Sequence, residues 1–164
     1  MSRVAVASLA VIVCASAAWA DARKDCFEKS GAVAIQACTE AIRRDPNDAV
    51  SYVNRAYEYL QAGDYLRTVA DYSRAIDLDA GRADAYQGRA WAYLKMGKLD
   101  LALADASKSA AIKPHDARTL DIRGLVHEAL GRKQEAIADF RAALAIEPRM
   151  QGSREGLQRL GAAP

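Results

Sequence analysis

His115–Pro148, HDARTLDIRGLVHEALGRKQEAIADFRAALAIEP, decides the fold, because two upstream stretches repeat its pattern at intervals of 34 residues. Gly131 recurs as Gly97 and Gly63, Gly124 as Ala90 and Ala56, His127 as Tyr93 and Tyr59, and Phe140 as Ala106 and Tyr72. Such a period means one helical hairpin used repeatedly, each copy covering the apolar face that its neighbour cannot bury alone. Three full copies are expected at 49–82, 83–116 and 117–150.

Within one copy the residue types specify helix, turn, helix, stop. Tyr86, Ala90 and Tyr93 lie four and three apart, so they share one helix face, and the small Ala90 lets a second helix approach closely. Gly97 can adopt the left-handed conformation that ends a helix. Leu99, Ala102, Leu103, Ala106 and Ala110 then rebuild an apolar stripe, and Pro114 forbids its continuation. This pattern resembles the tetratricopeptide-repeat family. Tyr86, Ala90, Tyr93, Gly97, Ala102, Ala106, Ser109 and Pro114 fill that family's places, as do Leu120, Gly124, His127, Gly131, Ala136, Phe140, Ala143 and Pro148. The earliest copy has Tyr52, Ala56, Tyr59, Gly63, Thr68, Tyr72 and Ala75, with Ala80 in place of proline. Thr68, Ala106 and His127 depart from the pattern. The resemblance implies an all-α, right-handed superhelix, an α-solenoid of hairpins whose first helices line the concave side.

Residues 1–20 read as an export segment rather than as part of the fold. Arg3 precedes an uncharged, mostly apolar run, and Ala18-Trp19-Ala20 forms a small-x-small cleavage site. The run is shorter than the roughly 20 apolar residues of a membrane span, so no stable membrane insertion is expected after cleavage behind Ala20. Of the remaining cysteines, Cys26 and Cys38 form an even pair in an exported chain, which reads as a disulfide. Twelve residues of straight helix would hold them about 18 Å apart, whereas bridged α-carbons lie within about 7 Å. The chain is therefore expected to bend at Ser30-Gly31, between a short helix at 22–29 and a return at 32–44. Residues 21–48 thus form a truncated, disulfide-closed first repeat, and 151–164, with Leu157 and Leu160 on one face, a capping helix and tail.

Without residues 1–20, 22 basic side chains face 21 acidic ones, which gives no electrostatic reason to expect nucleic acid. His115 and His127 cannot assemble a metal cluster, no serine sits in a nucleophile elbow, and no glycine-rich phosphate loop is present. A non-catalytic protein without cofactor or metal is expected, with His127 a hydrogen-bonded core residue. Arg55, Arg89 and Arg123 recur 34 apart on the first helices, and Asp71, Asp105 and Asp139 recur on the second. Pairing within each hairpin satisfies all three couples, whereas pairing with the next copy would leave Arg55 opposite Ala37 and Asp139 opposite Leu157.

The family resemblance implies that a partner polypeptide lies in the concave groove, against set positions of the first helices. Those positions hold Val50, Val53, Tyr57, Leu60 and Gln61, then Asp84, Gln87, Trp91, Leu94 and Lys95, then Arg118, Asp121, Leu125, Glu128 and Ala129. The family's carboxylate clamp needs cations where this chain has Asp84 and Gly88, keeping only Asn54, so such a clamp is not expected. Val53, Tyr57, Leu60, Trp91, Leu94 and Leu125 are expected to form an exposed apolar strip, with Asp84, Gln87, Lys95 and Asp121 orienting the partner. The function so implied is that of an exported adaptor or assembly factor, periplasmic in a bacterial envelope or else secreted; the alternatives are a self-associating scaffold and, remotely, an enzyme subunit.

Overall fold

Every repeat turn closes in the same way. Gly63, Gly97 and Gly131 take φ of 75°, 71° and 73°, and the amide that follows each reaches back to the helix: Asp64 N to Tyr59 O, Lys98 N to Tyr93 O, Arg132 N to His127 O, all at 2.9 Å. These are Schellman ends, which need a left-handed residue and satisfy carbonyls the helix leaves open. The computed structural model describes residues 21–163, and the expected export segment lies outside them. Among the described residues there is no strand. Residues 21–28 form α1, followed by α2 (Gly31–Arg44), α3 (Ala49–Gln61), α4 (Tyr65–Leu78), α5 (Ala83–Lys95), α6 (Leu99–Ile112), α7 (Ala117–Ala129), α8 (Lys133–Ile146) and α9 (Gln151–Arg159).

Helix starts are capped by side chains where the sequence supplies them. Asp48 accepts from Val50 N, Asp64 from Arg67 N and Asp116 from Thr119 N, each such cap contributing about 1 kcal/mol. The second helices end alike with or without proline, since Asp79 N bonds Ala75 O just as Lys113 N bonds Ser109 O. Helix α3 packs on α4, α5 on α6 and α7 on α8. Each second helix then meets the next first helix, and α3, α5, α7 and α9 touch in succession. That arrangement puts the first helices on one shared face.

The core is made largely of small residues, with larger side chains inserted where successive hairpins meet. Ala56, Ala75, Ala90, Ala102, Ala106, Ala136 and Ala143 are fully buried, as are Phe140 and Leu157. Volume is balanced between residues 16 apart. A Cβ on Gly88 would run into the Tyr72 ring, and one on Gly156 would lie 2.5 Å from Phe140 Cζ. At the junction between these two, Ala106 packs with Ile122 in one cluster. Ala106 therefore departs from the aromatic pattern because Ile122 fills its space. Gly124 obeys the same constraint, with Phe140 Cε1 2.7 Å from where its Cβ would be.

At the amino end Cys26 and Cys38 are bonded, both buried, with their α-carbons 4.6 Å apart. The bend falls at Gly31, φ 63°. The first helix ends at residue 28 and the return begins at Gly31, each one residue earlier than the spacing suggested. At the carboxyl end Leu157 packs on Phe140 and Ala136, so α9 covers the last hairpin. Ala162 N bonds Leu157 O at 2.9 Å, with Gly161 at φ 65°, repeating the turn of the full repeats.

Two measurements follow. Unfolded, unreduced protein beginning at Asp21 should titrate with no free thiol, and Cys38→Ser should cost about 3 kcal/mol in denaturant unfolding; two free thiols would contradict the bond. Gly88→Ala should cost about 1–3 kcal/mol through overpacking against Tyr72. The same change in a Tyr72→Ala background should cost almost nothing, and equal costs in the two backgrounds would rule out the volume coupling.

Candidate functional site

Each first helix is fixed to its second by an arginine. Arg55 Nε and Nη2 donate to Asp71 at 2.7 and 2.8 Å, Arg89 to Asp105 at 2.7 and 2.9 Å, and Arg123 to Asp139 at 2.8 and 2.6 Å. The three carboxylates are 9% exposed. These two-pronged bonds hold both the separation and the rotation of the hairpin. Two of the arginines also reach the preceding hairpin, Arg55 Nη1 to Thr39 Oγ1 at 3.0 Å and Arg89 Nη1 to Ser73 Oγ at 2.8 Å. Arg55 lies over Tyr52 and Tyr59, and Arg89 over Tyr86 and Tyr93, at 5.7–5.9 Å from the rings. The guanidinium groups are thus engaged inside the fold rather than presented to the groove as an anion ladder.

The concave face holds a cleft of about 570 Å³ between α3, α5 and α7. Val53, Tyr57, Leu60, Trp91 and Ile122 supply its apolar lining, and Asn54, Gln61, Asp84, Gln87, Arg118 and Asp121 its polar lining. Tyr72 reaches the cleft from α4 across the missing side chain of Gly88. Burial pushes the Tyr72 hydroxyl well above its ordinary range, so it stays neutral. Tyr57 is 48% exposed.

The sequence placed Leu94, Lys95 and Leu125 here too; the two leucines turn into the packing between repeats, and Lys95 stands at the edge of the cleft on Trp91. Leu94 packs on the cluster of Ala90, Ala102 and Val126, and Leu125 on that of Phe140 and Leu157. Lys95 stands with Nζ 4.4 Å from the centre of the Trp91 ring, and Trp91 itself is partly buried against the same cluster as Leu94. The reason is the direct contact between successive first helices, which turns part of the expected strip into a junction between repeats. The polar residues are tied down as well. Gln87 Nε2 donates at 2.8 Å to Asp116 Oδ1 and to Thr119 Oγ1, fastening α5 to the start of α7. One repeat later Asp121 and Ser153 occupy the same two places, with Ser153 Oγ donating to Asp121 Oδ1 at 2.6 Å. Burial pushes the Asp121 carboxyl up, against that hydrogen bond. Burial acts the same way on Asp84, but the Arg82 guanidinium, 2.6 Å away, and the Ala85 amide together outweigh it and hold the carboxyl below its usual range.

Three hairpins in register, joined by identical turns and leaving their first helices on an open face, make this a tetratricopeptide-repeat solenoid. Over residues 6–162 the sequence matches the family described as ETO1 C-terminal domain, and the chain belongs to that family. The Arabidopsis OM64 TPR domain superposes with a TM-score of 0.67 at 28% identity, covering 69% of this chain and 93% of that one. The second TPR domain of human RPAP3, solved in complex with the HSP70 peptide SGPTIEEVD, gives 0.66 at 28% identity, with coverage of 70% and 96%. MamA 41-end from Desulfovibrio magneticus RS-1 gives 0.78 at 20% identity over 90% of this chain and 83% of that one, a likeness of fold. No curated protein sequence matches the chain.

His127 lies outside the cleft and is not the hydrogen-bonded core residue the sequence suggested. Among the described residues its Nδ1 is buried without a hydrogen-bond partner, and Nε2 is 3.7 Å from Asp139 Oδ2, beyond bonding distance. The imidazole fills the slot of Tyr59 and Tyr93 with a smaller ring, and Arg123 already holds Asp139. Burial lowers its pKa, the nearby Asp139 opposing and Arg123 adding to the effect. Glu135 favours the charged form and Arg132 disfavours it. A depressed histidine pKa means the unfolded chain takes up the proton first, so stability falls as pH drops through about 6.5. His127→Tyr should remove this contribution, giving a melting-temperature advantage over the parent that widens below about pH 6.5. A gap independent of pH would contradict the assignment.

Proposed function

We propose that the chain is a non-catalytic protein-interaction module that seats a segment of a partner polypeptide in the cleft between α3, α5 and α7. One observation carries the reading: an open cleft floored by Tyr57, Leu60, Trp91 and Ile122, with Tyr57 nearly half exposed. An apolar face left uncovered by its own fold marks a contact surface, and aromatic residues are the usual anchors. The RPAP3 domain, 28% identical, is solved with a peptide, which supports peptide capture on this fold. The buried Cys26–Cys38 bond supports export, since such bonds persist in oxidising compartments. With residues 1–20 read as a cleaved signal and no described helix long and apolar enough to cross a membrane, we place the adaptor or assembly factor in a bacterial periplasm, or outside the cell.

Tyr57→Ala should weaken capture of the native partner at least tenfold, about 1.4 kcal/mol, with nearly unchanged melting temperature. Trp91→Ala should weaken it as much and also destabilise the fold, because that ring is partly buried. Capture unaffected by both substitutions would remove the cleft from consideration. The protein alone should sediment as a monomer, whereas a stable oligomer would favour the self-associating scaffold.

A further inference from the structure

The polar groups that line the cleft are unequally neutralised. Asp84 is bonded through both oxygens to Arg82. Asp121 is different: among the described residues no cation lies within 4 Å of it, and only the Ser153 hydroxyl bonds its Oδ1. Arg159, whose charge favours the ionised Asp121, is itself bonded to Glu128 at 2.7 and 2.8 Å. Gln87, in the equivalent place one repeat earlier, uses its amide hydrogens on Asp116 and Thr119 and leaves its carbonyl oxygen unbonded among the described residues. The floor of the cleft thus offers hydrogen-bond acceptors and one uncompensated, half-buried carboxylate beside the Trp91 and Ile122 surface. Arg118 stands one turn before Asp121 in the cleft lining, is exposed, and among the described residues forms no ion pair with it.

We infer that the occupant of the cleft is an internal, basic-apolar polypeptide segment. Its aliphatic or aromatic side chains lie against Tyr57, Trp91 and Ile122, and a lysine or arginine pairs with Asp121. This inference rests on the groove reading above and adds the chemistry of the partner. A carboxylate without a cation, partly withdrawn from water, gains from an incoming ammonium or guanidinium group, and repels an acidic segment ending in a free carboxylate. Complementarity of this kind selects against wrong partners as much as it strengthens the right one. The retained carboxylate also carries a structural signature. Because burial disfavours its charged form, Asp121→Asn should leave the melting temperature at neutral pH unchanged or higher.

The test uses two synthetic peptide libraries of about ten residues, roughly 33 Å when extended, one C-terminally amidated and one ending in a free carboxylate. Selection on the whole protein should enrich lysine or arginine beside aliphatic and aromatic residues in the amidated library. Replacing the selected lysine by norleucine should weaken binding at least tenfold, about 1.4 kcal/mol, and Asp121→Asn should abolish that difference while still binding the norleucine peptide as the parent does. Enrichment of aspartate, glutamate or the free carboxylate would overturn the basic-segment inference and leave the groove reading intact. Equal binding of lysine and norleucine peptides to the parent would do the same. No enrichment in either library would sink the groove reading itself. A dimer that shields Tyr57 and Trp91 would overturn the inference by making a second copy the occupant.

Discussion

The bidentate arginine–aspartate bond inside each hairpin is the constraint on which the remaining geometry depends. A partly buried pair of this kind contributes less to stability than its Coulomb attraction suggests, because desolvation of two ions offsets most of the gain. Its effect is directional. The fork of Arg89 accepts one rotation of α5 relative to α6, and the same rotation recurs at Arg55 and Arg123. Thr39 and Ser73 extend two of these bonds to the preceding hairpin, so the ladder sets the stacking as well as the hairpin. It also keeps three cations away from the concave side.

Volume at the junctions is the second constraint, and it shapes the cleft. With Tyr72 opposite Gly88, the phenol passes over α5 and reaches the groove. With Ala106 opposite Ile122, the large side chain comes from the first helix instead and forms apolar floor beside Trp91. At Phe140 the ring turns to Gly156 and Leu157, sealing the solenoid under α9. One structural position, filled from opposite sides in successive repeats, thus gives an amphipathic pocket at one junction and a closed end at the next.

The hairpins, their turns and the three ion pairs were legible because all of them repeat with the period of the chain. Gly63, Gly97 and Gly131 announce themselves by spacing, and pairing Arg with Asp sixteen residues on needed only the counting of unmatched ends. What escaped depends on how one repeat sits on the next. Gln87 looks like a free groove residue until α7 brings Asp116 and Thr119 to its amide. Leu125 shares a helix position with Tyr57 and Trp91, yet its neighbour is the capping helix, so it is drawn under Leu157. The large-small alternation sixteen residues apart, Tyr72 with Gly88 and Phe140 with Gly156, was present in the sequence as a signal. It marks a contact between repeats rather than within one, and a search for periodicity at 34 passes over it.

Site-specific photocrosslinking to the native partner tests most directly whether the concave face is the working surface. A photoreactive residue at Gln61 or Leu60, on the cleft, should give a covalent adduct with the partner, while one at Leu66, 73% exposed on the second helix of the same hairpin, should not. Adducts from Leu66 with none from Gln61 or Leu60 would contradict the account, because the partner would then ride on the second helices and the cleft would have no part in holding it.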